Sequence, residues 1–179
     1  MRGLRLVSIA TAGLMIAACA DGRTPTSPSS AQSSLAERSA SASQPVETSG
    51  TFDANVDFST VTLTPRGENC LLTVKGQLVF HGTIEGTANG TTSALEFGPC
   101  SEVAVNPPGT FEDVFKSVAT FDGTIAGEPA HSNLLYMGRV AVGGTIDGRF
   151  VFSNGVAGEV DVKSRVAVGG VYQGSVVVH

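Results

Sequence analysis

From Leu72 onward the chain alternates. Even positions run Leu72, Val74, Gly76, Leu78, Phe80, Gly82, Ile84, Gly86 and Ala88, whereas the odd positions carry Thr73, Lys75, Gln77, His81, Thr83, Glu85, Thr87 and Asn89, with Val79 the exception. Successive side chains of an extended strand point to opposite faces, so this period of two describes strand with one dry and one wet face. A helix would need a period of 3.6 and is the losing interpretation.

The pattern recurs. Phe115, Ala119, Phe121, Gly123 and Ile125 share one phase, followed by Leu134, Tyr136, Gly138, Val140, Val142, Gly144, Ile146, Gly148, Phe150 and Phe152. A last run places Val160, Val162, Val166, Val168, Gly170, Tyr172, Gly174, Val176 and Val178 on one face. Asn89-Gly90 and Asn154-Gly155 interrupt the runs, and Asn-Gly is a strong hairpin signal because both turn positions need positive φ. The expectation is an antiparallel meander of seven to nine strands, with no helix after residue 50.

An internal echo sharpens this. FHGTIEG (80–86), FDGTIAG (121–127), VGGTIDG (142–148) and VGGVYQG (168–174) each put glycines on the inward series, at intervals of 41, 21 and 26 residues. Those intervals are too uneven for a solenoid. Inward glycines let a strand bend and leave room for a large side chain on a facing strand, which is how small barrels close. The fold class is therefore all-β, a meander closing into a barrel of about eight strands, with a β-sandwich of immunoglobulin type as the alternative. If the interior is hollow, Phe80, Phe121, Tyr136, Phe150 and Tyr172 are its candidate cavity residues, with the two tyrosine hydroxyls as polar anchors.

The stretch from Phe115 to His179, with YMGRVAVGGTIDGRFVFSNGVAGEV and GGVYQGSVVV, resembles the glycine-rich strands of bacterial domains with an allene oxide cyclase-like barrel. That resemblance implies an eight-stranded antiparallel, broadly calycin-like barrel around a mostly apolar interior. No catalytic position of the cyclases matches this sequence, so no activity is carried over.

The N-terminus has a different character. Residues 1–18 read MRGLRLVSIATAGLMIAA, two arginines and then an apolar run too short to span a bilayer comfortably, the shape of a secretory signal peptide. The junction Ile16-Ala17-Ala18-Cys19 resembles the lipobox of bacterial lipoproteins, which implies cleavage before Cys19 and its acylation. Simple signal cleavage after Ala20 is the competing reading. Asp21 falls at the third mature position rather than the second, which by analogy with lipoprotein sorting points to the outer membrane, periplasmic or surface face, of a Gram-negative cell. Positions 21–50 hold 12 Ser or Thr, three Pro and no aromatic residue, too little apolar surface to offset chain entropy. The expected organisation is a signal peptide over 1–18, a lipidated Cys19 with a disordered linker over 19–50, and a barrel domain over 51–179.

In that exported setting Cys70 and Cys100 are expected to form a disulfide, which stabilises by about 3 to 4 kcal/mol in the chain-entropy model for a loop of this length. The net charge of −5 and the seven scattered Lys and Arg of residues 51–179 exclude a nucleic-acid partner. No metal motif, nucleotide loop or triad spacing appears, so no catalytic residue, metal or cofactor is assigned. Glu112 and Asp113 are adjacent acids read as solvated. Two stretches read as long loops: 98–112, held by three prolines, and 126–133, where Glu128, His131 and Ser132 form a candidate mouth loop. The function expected is a membrane-anchored binding or interaction module for a small apolar ligand or surface partner. The alternatives are a cavity-based enzyme of cyclase or isomerase type on a lipid-like substrate, and a purely structural surface domain. Replacing the lipid-bearing side chain, Cys19→Ser, is expected to move the protein from the membrane to the soluble fraction, read by fractionation. Unchanged membrane retention would remove the anchor.

Overall fold

The alternating runs become eight antiparallel strands in simple chain order. A computed structural model describes residues 44–179; the signal peptide, Cys19 and the linker up to residue 43 lie outside the described residues. The strands are β1 (Val46–Arg66), β2 (Asn69–Gly82), β3 (Ile84–Glu96), β4 (Asp113–Ile125), β5 (Glu128–Ala141), β6 (Thr145–Ser153), β7 (Val156–Arg165) and β8 (Gly169–Val178). Each pairs with the next, and β1 returns to pair with β8, Val46 opposite Val176 through Asp53 opposite Gly169, so the sheet is a closed barrel and not a sandwich.

Closure depends on ring-over-glycine pairs. Phe80 lies opposite Gly86, Phe52 opposite Gly170, Phe115 opposite Gly138, Phe152 opposite Gly158 and Tyr172 opposite Gly50. A Cβ on Gly50 would run into the Tyr172 phenol and the His81 carbonyl, so the small residue there is a steric requirement. Outside, the wall is charged: Arg149 pairs with Glu159, and Lys163 with Asp147, across β6 and β7. That is unlike the apolar band of a membrane-spanning barrel.

Several sequence expectations need correction. β1 starts at Val46, inside the segment expected to be linker. Asn89-Gly90 is not a turn but the middle of β3, where Gly90 packs against the Val118 carbonyl and Ala119 of β4. The reversal comes earlier, around Thr83, and went unseen because the apolar phase continues through it from Phe80 to Ile84. Asn154-Gly155 is the hairpin expected, with φ of 65° and 96°. The supposed loop 126–133 reduces to the turn Ala126-Gly127, after which β5 begins at Glu128. Val142 and Val168, in phase with the inward series, sit exposed at turns. One short helix, α1 (Cys100–Val103), interrupts the all-strand chain between β3 and β4.

The end of the barrel holding the β2–β3, β4–β5 and β6–β7 turns is solid. Phe80, Phe121 and Phe152 pack edge to face along this end, and Phe80 also meets Phe150 at 5.2 Å between ring centroids. Such aromatic pairs contribute about 0.5 to 1.5 kcal/mol beyond the area they bury. Tyr172 ties the β2–β3 turn to this plug: the Ile84 N–H donates to its oxygen at 2.9 Å, and its hydroxyl faces the Ile84 and His81 carbonyls at 3.1 Å. Tyr172→Phe strands the buried Ile84 N–H. It is expected to destabilise by about 1 to 3 kcal/mol, read as a lower urea midpoint at unchanged slope.

Candidate functional site

The opposite half of the barrel is hollow, and β1 runs on past β8 at its rim. β1 has 21 residues and β2 to β5 have 13 or 14, whereas β6, β7 and β8 have nine or ten. β1 leaves β8 where the Ala54 N–H donates to the Val168 carbonyl, and beyond that it is paired with β2 alone. In this half many inward side chains are small or aliphatic, among them Ala54, Val74, Ala88, Ala94 and Ala119, and a cavity of about 630 Å3 is left between them. Phe52, Phe115 and Tyr136 add aromatic surface to its wall. Val56, Phe58 and Val61 bound it along β1, and Val166 and Ala167 of the β7–β8 turn also line it.

The segment 97–112 roofs the cavity. Its start is tied down by the Cys70–Cys100 disulfide, which joins α1 to the first residues of β2. Its far end crosses to the β5–β6 turn, where the Gly143 N–H donates to the Gly109 carbonyl at 2.9 Å. Gly109 has φ of +83° and is buried, and a Cβ there would come within 2.6 Å of the Gly144 backbone. Only glycine lets the two turns meet so closely. Val103, Ala104, Pro107, Pro108 and Phe111 of this roof line the cavity below.

Two acids face into this apolar space. Glu96 ends β3 and Asp113 begins β4, and the strand register sets them directly opposite each other. They are 8% and 4% exposed. Asp113 Oδ1 has no hydrogen-bond partner among the described residues. Its sequence neighbour Glu112 points outward to Arg139, so the adjacent acids expected to share solvent are divided between the two faces of the wall. The remaining polar groups include Ser117 and a hydrogen-bonded pair, the Tyr136 hydroxyl with Ser164 Oγ at 2.8 Å.

Of the five candidate cavity residues, Tyr136 lines the cavity, while Phe80, Phe121, Phe150 and Tyr172 lie packed beneath it. The candidate mouth residues fall at the solid end. Glu128 and His131 are exposed on β5, and Ser132 is buried opposite Phe121. The 98–112 stretch is the real roof. Glu96 and Asp113 were missed, although parity could have found them: Glu96 is in phase with Ile84, Ala88 and Ala94, and Asp113 with Phe115, Ala119 and Phe121.

Burial pushes the Asp113 carboxyl up to about 7, and the nearby Glu96 charge adds to the effect. Glu96 is raised by burial as well. Two like charges this close titrate as a unit. An acid raised on folding keeps its proton in the native chain while the unfolded chain loses its own, so the associated stability is present below 3.8 and disappears as pH climbs to about 7. The slope is at most about 1.4 kcal/mol per pH unit for one group. Between about pH 4.5 and about pH 7.5 the urea midpoint of Asp113→Asn is therefore expected to fall less, or rise more, than that of the native chain. Identical pH profiles for the two proteins would contradict the burial of an ionisable pair.

No protein-family model matches this chain, and no curated protein matches it. Among solved structures, the chain is similar to a protein of unknown function from the DUF3224 family of Shewanella oneidensis MR-1. The TM-score is 0.53 at 15% identity, covering 76% of this chain and 98% of the other. At that identity the likeness concerns the barrel fold alone.

Proposed function

We propose that this barrel is a binding module for a small apolar or amphipathic molecule, presented outside the cytoplasm on a membrane by an acylated Cys19. The cavity carries the reading. Its volume, about 630 Å3, lies within the range of roughly 300 to 1,000 Å3 typical of small-molecule sites, and its wall is mostly hydrocarbon with few polar groups. A roof held at one end by a disulfide and at the other by a single close backbone contact suits a pocket that must admit a ligand from the open end. The exposed Val105, Val142 and Val168 on the roof and the neighbouring turns add an apolar fringe around that entrance.

One observation favours a second reading, an enzyme acting on a lipid-like substrate in the same cavity. A carboxyl that titrates near neutrality can give or take a proton at physiological pH, and Asp113 is such a group. Native mass spectrometry of the protein from its own host separates the two, since a binding module returns the captured molecule unchanged and an enzyme converts it.

The cavity itself is tested with a neutral solvatochromic dye such as Nile red. The full chain is expected to bind the dye with a blue-shifted emission, and Ala94→Phe, which puts a ring into the cavity from β3, to weaken that binding at least about tenfold. Dye uptake equal in both proteins would place the binding elsewhere, and none in the native chain would sink the proposal.

A further inference from the structure

The apolar cavity contains one feature that an apolar ligand alone does not explain. Burying a carboxylate in hydrocarbon is costly unless a partner compensates it. Glu96 and Asp113 face each other across β3 and β4, both more than nine-tenths buried, and Asp113 Oδ1 is unpartnered among the described residues. Among the described residues, no cation on the neighbouring strands pairs with them. The other charged residues lining the cavity are Lys75 and Arg165, both exposed, and the Arg165 guanidinium donates to the Gly143 carbonyl. On β5, next to β4, Arg139 faces outward and is paired with Glu112.

We infer that Glu96 and Asp113 form a recognition site for the protonated nitrogen of an amphipathic amine whose hydrocarbon body fills the cavity. This rests on the reading of the barrel as a binding module and names the class of molecule it takes. An ammonium group supplies what the acids lack, a positive charge and N–H donors for carboxylate oxygens, and charge-assisted bonds of this kind are the strong ones, more so away from water. A fatty acid would set a third carboxylate against the pair. An alcohol could donate one hydrogen bond but would leave the charge uncompensated. A metal ion fits poorly, because calcium and magnesium take six or more oxygens, and no group of three His, Cys, Asp or Glu is assembled among the described residues.

The test compares octylamine, octanol and octanoic acid, equal in chain length and different in head group, by calorimetric titration of the full chain. At about pH 8, octylamine is expected to bind at least about tenfold more tightly than octanol, with octanoic acid the weakest. The preference should shrink towards about pH 5.5, where the pair takes up protons while the amine stays charged. Asp113→Asn and Glu96→Gln should each bring the amine-to-alcohol ratio within about threefold, whereas Asp122→Asn, on the outer face of β4, should keep the native ratio. Because the readout is a ratio, a variant that failed to fold would lose both ligands rather than mimic the result. Octanol or octanoic acid binding as well as octylamine would overturn the amine site and leave the binding module standing. If none of the three binds and Nile red is not taken up, both fall.

Discussion

A sheet can close on itself only if the side chains that meet inside leave one another room. Here the room comes from glycine. Rings at Phe52, Phe80, Phe115, Phe152 and Tyr172 each lie across a glycine of the adjacent strand, so bulk on one strand is matched by absence on the next. The strands can then bend and approach. Each glycine forgoes about 0.5 to 1 kcal/mol of chain entropy relative to alanine, and the aromatic packing it permits offsets that cost. Every other feature of the molecule, including the cavity, presupposes this closure.

Having closed, the barrel is not the same height all round. At the open end β1 runs on past β8 while β5 and β6 end together at Ala141 and Thr145, and the aromatic plug fills only the end near the β2–β3 turn. Above the plug many inward residues are as small as alanine or valine, and the upper half encloses space. The long β3–β4 connection crosses to the β5–β6 turn. Its two attachments, the disulfide to β2 and the Gly109 contact with that turn, differ in strength, and the weaker one lies at the turn.

The acid pair runs against the chemistry of its surroundings. A leucine or threonine at either position would suit the wall better, and two facing carboxyls remain there by taking up protons or by holding a cation. The first state fits low pH. The second is the one available to a ligand, and it links the polar exception to the apolar rule of the same cavity.

Much of this could be read from residues alone, and the reason is locality. Side-chain alternation is a property of consecutive residues, so strand character, the inward face and the barrel followed from the sequence, and the expected Cys70–Cys100 pairing is present. The reversal from β2 into β3 did not follow, because the apolar phase runs unbroken through Thr83 while Asn89-Gly90 offers a turn that the barrel does not use. The site was further out of reach. Parity puts Glu96 and Asp113 on the inner face, but only the pairing of β3 with β4 across a 16-residue connection brings them opposite each other. Whether an inward position meets a packed ring or open space depends on residues from several strands at once, which is why the sequence determined a closed, glycine-lined sheet and the tertiary structure alone decided which half of it is hollow.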